Sequence, residues 1–114
     1  MRHVEAILHP SGARLRIEIP QTRRERMRGL LGREHLQPDQ GLLLQRARSI
    51  HTVGMRFPIA VAFLDRRGTV TRVRRAPPWR VLLPARGARD VLECSIAEEI
   101  RAGDRLEILG AGNA

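Results

Sequence analysis

His51 and Met55 stand four residues apart. On a helix that spacing would set an imidazole and a thioether on one face as soft metal ligands. Gly54 between them and Pro58 after them argue for an extended segment instead. There the two side chains would lie about 13 Å apart, too far for one ion. No metal and no cofactor is expected; His51 reads as an imidazole bonded to backbone and Met55 as a core residue. Glu93 and Asp65 are the carboxylates suited to general acid–base work, the chemistry of a hydrolase. Asp65 opens the turn Asp65-Arg66-Arg67-Gly68, where an aspartate side chain ordinarily bonds its own backbone. Glu93 shares a strand face with Val91, so it is partly buried if Val91 is core, and it would then need a cation such as Arg56 or Arg89. A structural ion pair is its expected role. Cys94 precedes a helix expected at Ser95, and a helix start lowers a thiol's pKa. It lacks a paired histidine motif and reads as a small core residue. Trp79 follows Pro77-Pro78 and serves either as a stacking platform or as a plug at the mouth of the fold. No catalytic residue is assigned; His51, Met55, Arg56, Trp79, Glu93 and Cys94 form the candidate ligand-binding set. No glycine-rich phosphate loop, nucleotide fingerprint or Ser-His-Asp arrangement is present.

The elements that carry these residues are mostly strands. Residues 3–8 and 13–19 flank His9-Pro10-Ser11-Gly12 as a first hairpin. In its second strand Leu15, Ile17 and Ile19 alternate with Arg14, Arg16 and Glu18, a half-buried strand with one wet side. Thr22 with Glu25 makes a capping box for a helix whose Met27, Leu30 and Leu31 form an apolar stripe, ending near Gly32. Its arginines, Arg23, Arg24, Arg26 and Arg28, circle the helix, which argues for solvation and against a helix laid in a groove. Leu42–Leu44 is a short buried strand. Residues 59–64 and 69–75 form the clearest hairpin, with a bulge near 71–73 where alternation breaks. Paired prolines at 77–78 end it. Further short strands fall at 81–83, 90–94 and 105–109. Ser95 is expected to cap a brief helix to Arg101, with Glu98 completing the cap.

Composition bounds the rest. The 114 residues suffice for one domain, 1–114, with a core at about 3–109 and a frayed end at 110–114. No apolar run is long enough to span a bilayer, and Met1-Arg2-His3-Val4-Glu5 lacks a signal-peptide layout, so a cytoplasmic protein is expected. The single cysteine excludes an internal disulfide. A net charge of +9 would ordinarily point to nucleic acid or an anionic surface. All 21 basic residues, however, are arginine, the mark of a coding bias. A selected phosphate-binding face could use lysine equally well.

Four features in order resemble domain-of-unknown-function family 192, a group of small prokaryotic proteins. They are Arg28-Gly29-Leu30-Leu31-Gly32-Arg33 with Leu36, Gly41-Leu42-Leu43-Leu44, the run from His51 to Leu64 with its turn, and Val91-Leu92-Glu93 followed by Gly103-Asp104. The resemblance spans roughly residues 15–109. It implies a mainly β fold with short helices and no assigned activity. Members commonly carry an aspartate where this chain has Ala60, and a longer helix after the Leu-Glu pair. A polar site built on that aspartate would be incomplete here.

The expected fold is mainly β (α+β), a compact antiparallel barrel-like sheet with one or two short helices. The expected function is a small non-enzymatic binding or accessory domain with an unknown protein or small-molecule partner, acting as a monomer or weak oligomer. Nucleic-acid or anionic-polymer binding ranks second, and a hydrolase using Glu93 or Asp65 third.

Overall fold

Strict alternation builds the first pair of strands. In the computed structural model, which describes residues 1–47, 50–82, 86–95 and 99–110, β1 (Arg2–His9) and β2 (Ala13–Ile19) pair antiparallel from Arg2↔Ile19 to Leu8↔Ala13. Leu15, Ile17 and Ile19 are buried, while Arg14 and Arg16 are exposed. After β2 the chain forms α1 (Arg23–Arg28) and returns as β3 (Gln40–Leu44). β3 lies parallel to β2, with Arg16 opposite Gln40 and Glu18 opposite Leu42. The sheet is therefore mixed, a departure from the all-antiparallel expectation. A parallel neighbour requires a crossover connection, and residues 20–39 supply one.

β5 (Ile59–Leu64) and β6 (Val70–Ala76) form the expected hairpin. Phe63 faces Arg72 and Leu64 faces Val70, so Thr71 is the extra residue of the bulge, inside the window where alternation broke. β8 (Asp90–Cys94) inserts between β3 and β5, and β9 (Arg105–Leu109) flanks β1. The seven-stranded order is β6-β5-β8-β3-β2-β1-β9, and β4 (Ile50–His51) pairs separately with β7 (Val81–Leu82). The two outer strands of the large sheet meet where Thr69 bridges Arg105; Leu106 N–H donates to the Gly68 carbonyl at 2.9 Å. The sheet thus curls into a half-barrel, and this contact shields its free edges.

Two apolar clusters occupy the two faces of β3, β5 and β8. Leu43, Ala60, Ala62, Leu92 and Cys94 pack inside the curl with Leu8, Leu15 and Ile17. Leu42, Leu44, Ile59, Val61, Phe63 and Val91 pack on the other face beneath Leu30, Leu36, Ile50 and Met55. Ala60, at the family's aspartate position, is 3% exposed and sits opposite Cys94 inside the curl.

The helix is shorter than its sequence suggests. Gly29 takes φ +46°, and its N–H closes on the Glu25 carbonyl at 2.9 Å, ending α1 three residues before Gly32. Met27 is then 70% exposed, while Leu30 is buried from the turn that follows. The helix expected at 96–101 falls partly on residues 96–98, outside the described residues; Glu99, Ile100 and Arg101 are not helical. Leu83 and residues 111–114 also lie outside the described residues.

Candidate functional site

The strand face that carries Glu93 also carries the main concavity. Glu93 lies on β8 between Leu42 of β3 and Val61 of β5, on the outer face of the curl. A cleft of about 580 Å³ opens above it, a size suited to a small molecule. α1 and the turn after it form one wall; Leu44, Arg46, Ala47, Ile50, His51 and Met55 supply the other. Leu30, Leu31, Leu44, Ala47, Ile50 and Met55 give the cleft apolar sides, and Arg23, Arg26, Arg28, Arg46 and His51 also line it.

Local chemistry fixes both walls. The Thr22 hydroxyl accepts the Glu25 N–H at 3.1 Å, and Glu25 Oε1 accepts the Thr22 and Gln21 N–H groups, the capping box expected from the sequence. Arg26 Nη1 donates to the Gln45 carbonyl at 2.8 Å and ties the helix to the end of β3. The backbone then turns through Arg46 at φ +54°, a conformation uncommon outside glycine, and the Arg46 N–H donates to Asp90 Oδ1 at 2.9 Å. His51 ends β4, and Met55 N–H bonds back to the Thr52 carbonyl at 3.1 Å. That turn replaces the extended path expected across 51–55, and it brings both side chains to the cleft. Thr52, fully buried, locks the turn: its hydroxyl donates to the Pro77 carbonyl at 2.7 Å and accepts the Arg80 N–H at 2.8 Å.

Glu93 is 4% exposed, and among the described residues no hydrogen bond or ion pair reaches its carboxyl. Burial raises its pKa to about 7, because removal from water disfavours the charged form. The expected ion pair is absent among the described residues: Arg56 lies 3.8 Å from Glu34, and no ion pair joins Arg89 to Glu93.

Of the six candidate ligand-binding residues, His51, Met55 and Glu93 converge on the cleft. Arg56, Trp79 and Cys94 do not line it. Arg56 is exposed beside Glu34. Trp79 is 66% exposed at φ +65°, and its backbone N–H donates to the Thr52 carbonyl at 2.9 Å. Cys94 is completely buried on the inner face of the sheet, away from Glu93. Asp65 is committed to its turn, with Oδ1 accepting the Arg67 and Thr69 N–H groups at 2.8 and 3.0 Å. Sequence reasoning missed Arg23, Arg26, Arg28 and Arg46 as cleft residues. The spread of the first three around a helix wheel concealed that the helix itself is a wall. Among the described residues, no three His, Cys, Asp or Glu side chains gather as a metal site.

Residues 6–108 match the profile of DUF192, described as an uncharacterised ACR. The chain belongs to the DUF192 family. A DUF192-like fold recurs in two crystal structures. A protein of unknown function from Novosphingobium aromaticivorans is 23% identical and superposes with a TM-score of 0.80, over 92% of this chain and 84% of the other. A protein from Sinorhizobium meliloti described as a candidate transcription regulator is 25% identical, with a TM-score of 0.75 over 95% and 93%. No curated protein matches this DUF192 member significantly.

Proposed function

We propose that this protein is a non-enzymatic binding domain and that the cleft over Glu93 is its ligand site. The observation that carries this reading is the Glu93 carboxyl, 4% exposed at the base of a 580 Å³ concavity and unpaired among the described residues. A polar group placed there costs stability unless something pairs with it. Nothing among the described residues does so, and a ligand would. A nucleophile–base pair would need a second group hydrogen-bonded to Glu93, and among the described residues none is. A fragment screen by amide NMR tests the site. Shifts gathered at Gly29, Leu31, Ala47, His51 and Glu93 are expected. Fragments that bind only elsewhere would sink the assignment.

A second reading rests on a separate observation. Arg66 and Arg67 in the β5–β6 turn and Arg72, Arg74 and Arg75 on β6 are exposed, and none of them forms an ion pair with a described residue. Such a band suits an anionic polymer, and the relative described as a candidate transcription regulator is in keeping with nucleic acid. The band holds no aromatic side chain for base stacking. Heparin retention that falls steeply with salt, and that collapses in an Arg72→Gln/Arg74→Gln/Arg75→Gln variant, would favour this reading. Retention unchanged in that variant removes it.

A further inference from the structure

The two polar features of the cleft have opposite character, and together they define a ligand. Glu93 lies on the sheet, enclosed by the apolar face of β3, β5 and β8. The arginines come from α1 and from the turn after β3. None of the described arginines forms an ion pair with the Glu93 carboxyl, and its burial disfavours the charged form. The cleft thus has a buried acidic group and exposed basic ones, and Leu30, Leu44, Ile50 and Met55 give it apolar lining. Glu25, the acidic residue of α1, is engaged in the helix cap and leaves these arginines unneutralised.

A purely anionic ligand would satisfy the exposed arginines and leave the carboxyl unpaired. A purely cationic one would have to pass the arginines against repulsion. Resting on the cleft as the ligand site, we infer that it takes a small zwitterion, with an ammonium directed to Glu93 and a carboxylate or phosphate held by Arg23 and Arg28, joined by an apolar spacer. The oxyanion gains charge-assisted hydrogen bonds from planar guanidinium donors. The ammonium gives the buried carboxyl the counter-charge that no described residue supplies. Pairing with an ammonium also drives Glu93 to its ionised form, and its proton leaves to the buffer.

Calorimetric titration with a series of ω-amino carboxylates tests this, beside the alkylamine and alkylcarboxylate of matched length and the corresponding ω-amino phosphates. One spacer length should bind at least about tenfold more tightly than either half-molecule. Comparing carboxylate with phosphate identifies the outer group. At slightly acidic pH, binding should release a proton, seen as a dependence of the heat on the buffer's ionisation enthalpy. Glu93→Gln should abolish both the proton release and the advantage over the alkylcarboxylate. Arg23→Gln/Arg28→Gln should abolish the advantage over the alkylamine while leaving the proton release. An alkylcarboxylate that binds as tightly as every zwitterion overturns the inference, as does a Glu93→Gln variant with unchanged selectivity. If fragments occupy the cleft but no zwitterion is preferred, the inference fails and the cleft stands as a site. If no fragment or probe shifts the cleft amides, both fail.

Discussion

Glu93 is where the sequence said most and concealed most. Its burial was readable, because period-two alternation ties it to Val91, and Val91 is wholly buried. Its lack of a partner was not readable, since which arginine reaches it depends on loops that bring Arg56 to Glu34 instead. The consequence is a pH-dependent stability. In the unfolded chain its carboxyl titrates near 4.5, and in the fold near 7. A pKa raised by folding contributes no penalty below the unfolded value and an increasing one as pH rises toward the folded value. Stability should therefore fall between about pH 4.5 and pH 7, by on the order of 3 kcal/mol. Glu93→Gln removes the ionisable group and leaves the shape. Its urea midpoint should exceed the parent's at neutral pH and show no decline from this source across the window. A parent and variant with parallel pH profiles would mean that Glu93 is solvated or paired in solution. Arginine was illegible for another reason: with no lysine among the 21 basic residues, side-chain type could not separate cleft arginines from solvated ones.

Elements with strong alternation were legible, and those set by a single backbone angle were not. Both hairpins and the capping box follow from local pattern. The end of α1 does not, because an apolar stripe through Met27, Leu30 and Leu31 suggests continuation, whereas Gly29 at φ +46° stops the helix and hands Leu30 to the core from a turn. This leaves α1 as a six-residue helix with no buried side chain. So short a helix has little stability of its own, and it stands as a cleft wall through its cap and the Arg26–Gln45 bond. Thr22→Ala should cost about 1 kcal/mol. The cost should appear locally, as roughly fivefold faster amide exchange at Glu25, Arg26 and Gly29, with β3 and β8 amides unchanged. Equal acceleration across the sheet would show instead that α1 and the barrel open as one unit.

At the scale of the whole molecule, the strand content and the half-barrel curl were foreseeable, while the pairing order was not. Short strands and frequent turns lead to a curled sheet that protects its edges. The parallel β2–β3 pair and the insertion of β8 between β3 and β5 are choices made by long-range packing. Period-two patterns assign a face to each residue and no neighbour to a strand. Curvature nevertheless depends on one small contact that can be tested. Gly68 stands at φ +83°, and a Cβ built there would lie 2.6 Å from the Leu106 carbonyl oxygen, a backbone atom that cannot swing aside. Its own carbonyl receives the Leu106 N–H at the closure of β6 on β9. Gly12 provides the comparison: its φ is +80°, and nothing lies within 4 Å of its built Cβ. Gly12→Ala should therefore cost only the strain of its conformation, about 1 kcal/mol. Gly68→Ala adds an overpacking penalty of roughly 1–3 kcal/mol, and it must push β9 away from the β5–β6 turn. Thermal melting should separate the two variants in that order. Amide exchange at Val70 and Leu106 should accelerate in Gly68→Ala alone, because both N–H groups bond across the closure. Equal costs for the two variants, with Leu106 still protected, would mean that the curl is held by the packed interior and not by the meeting of its edges.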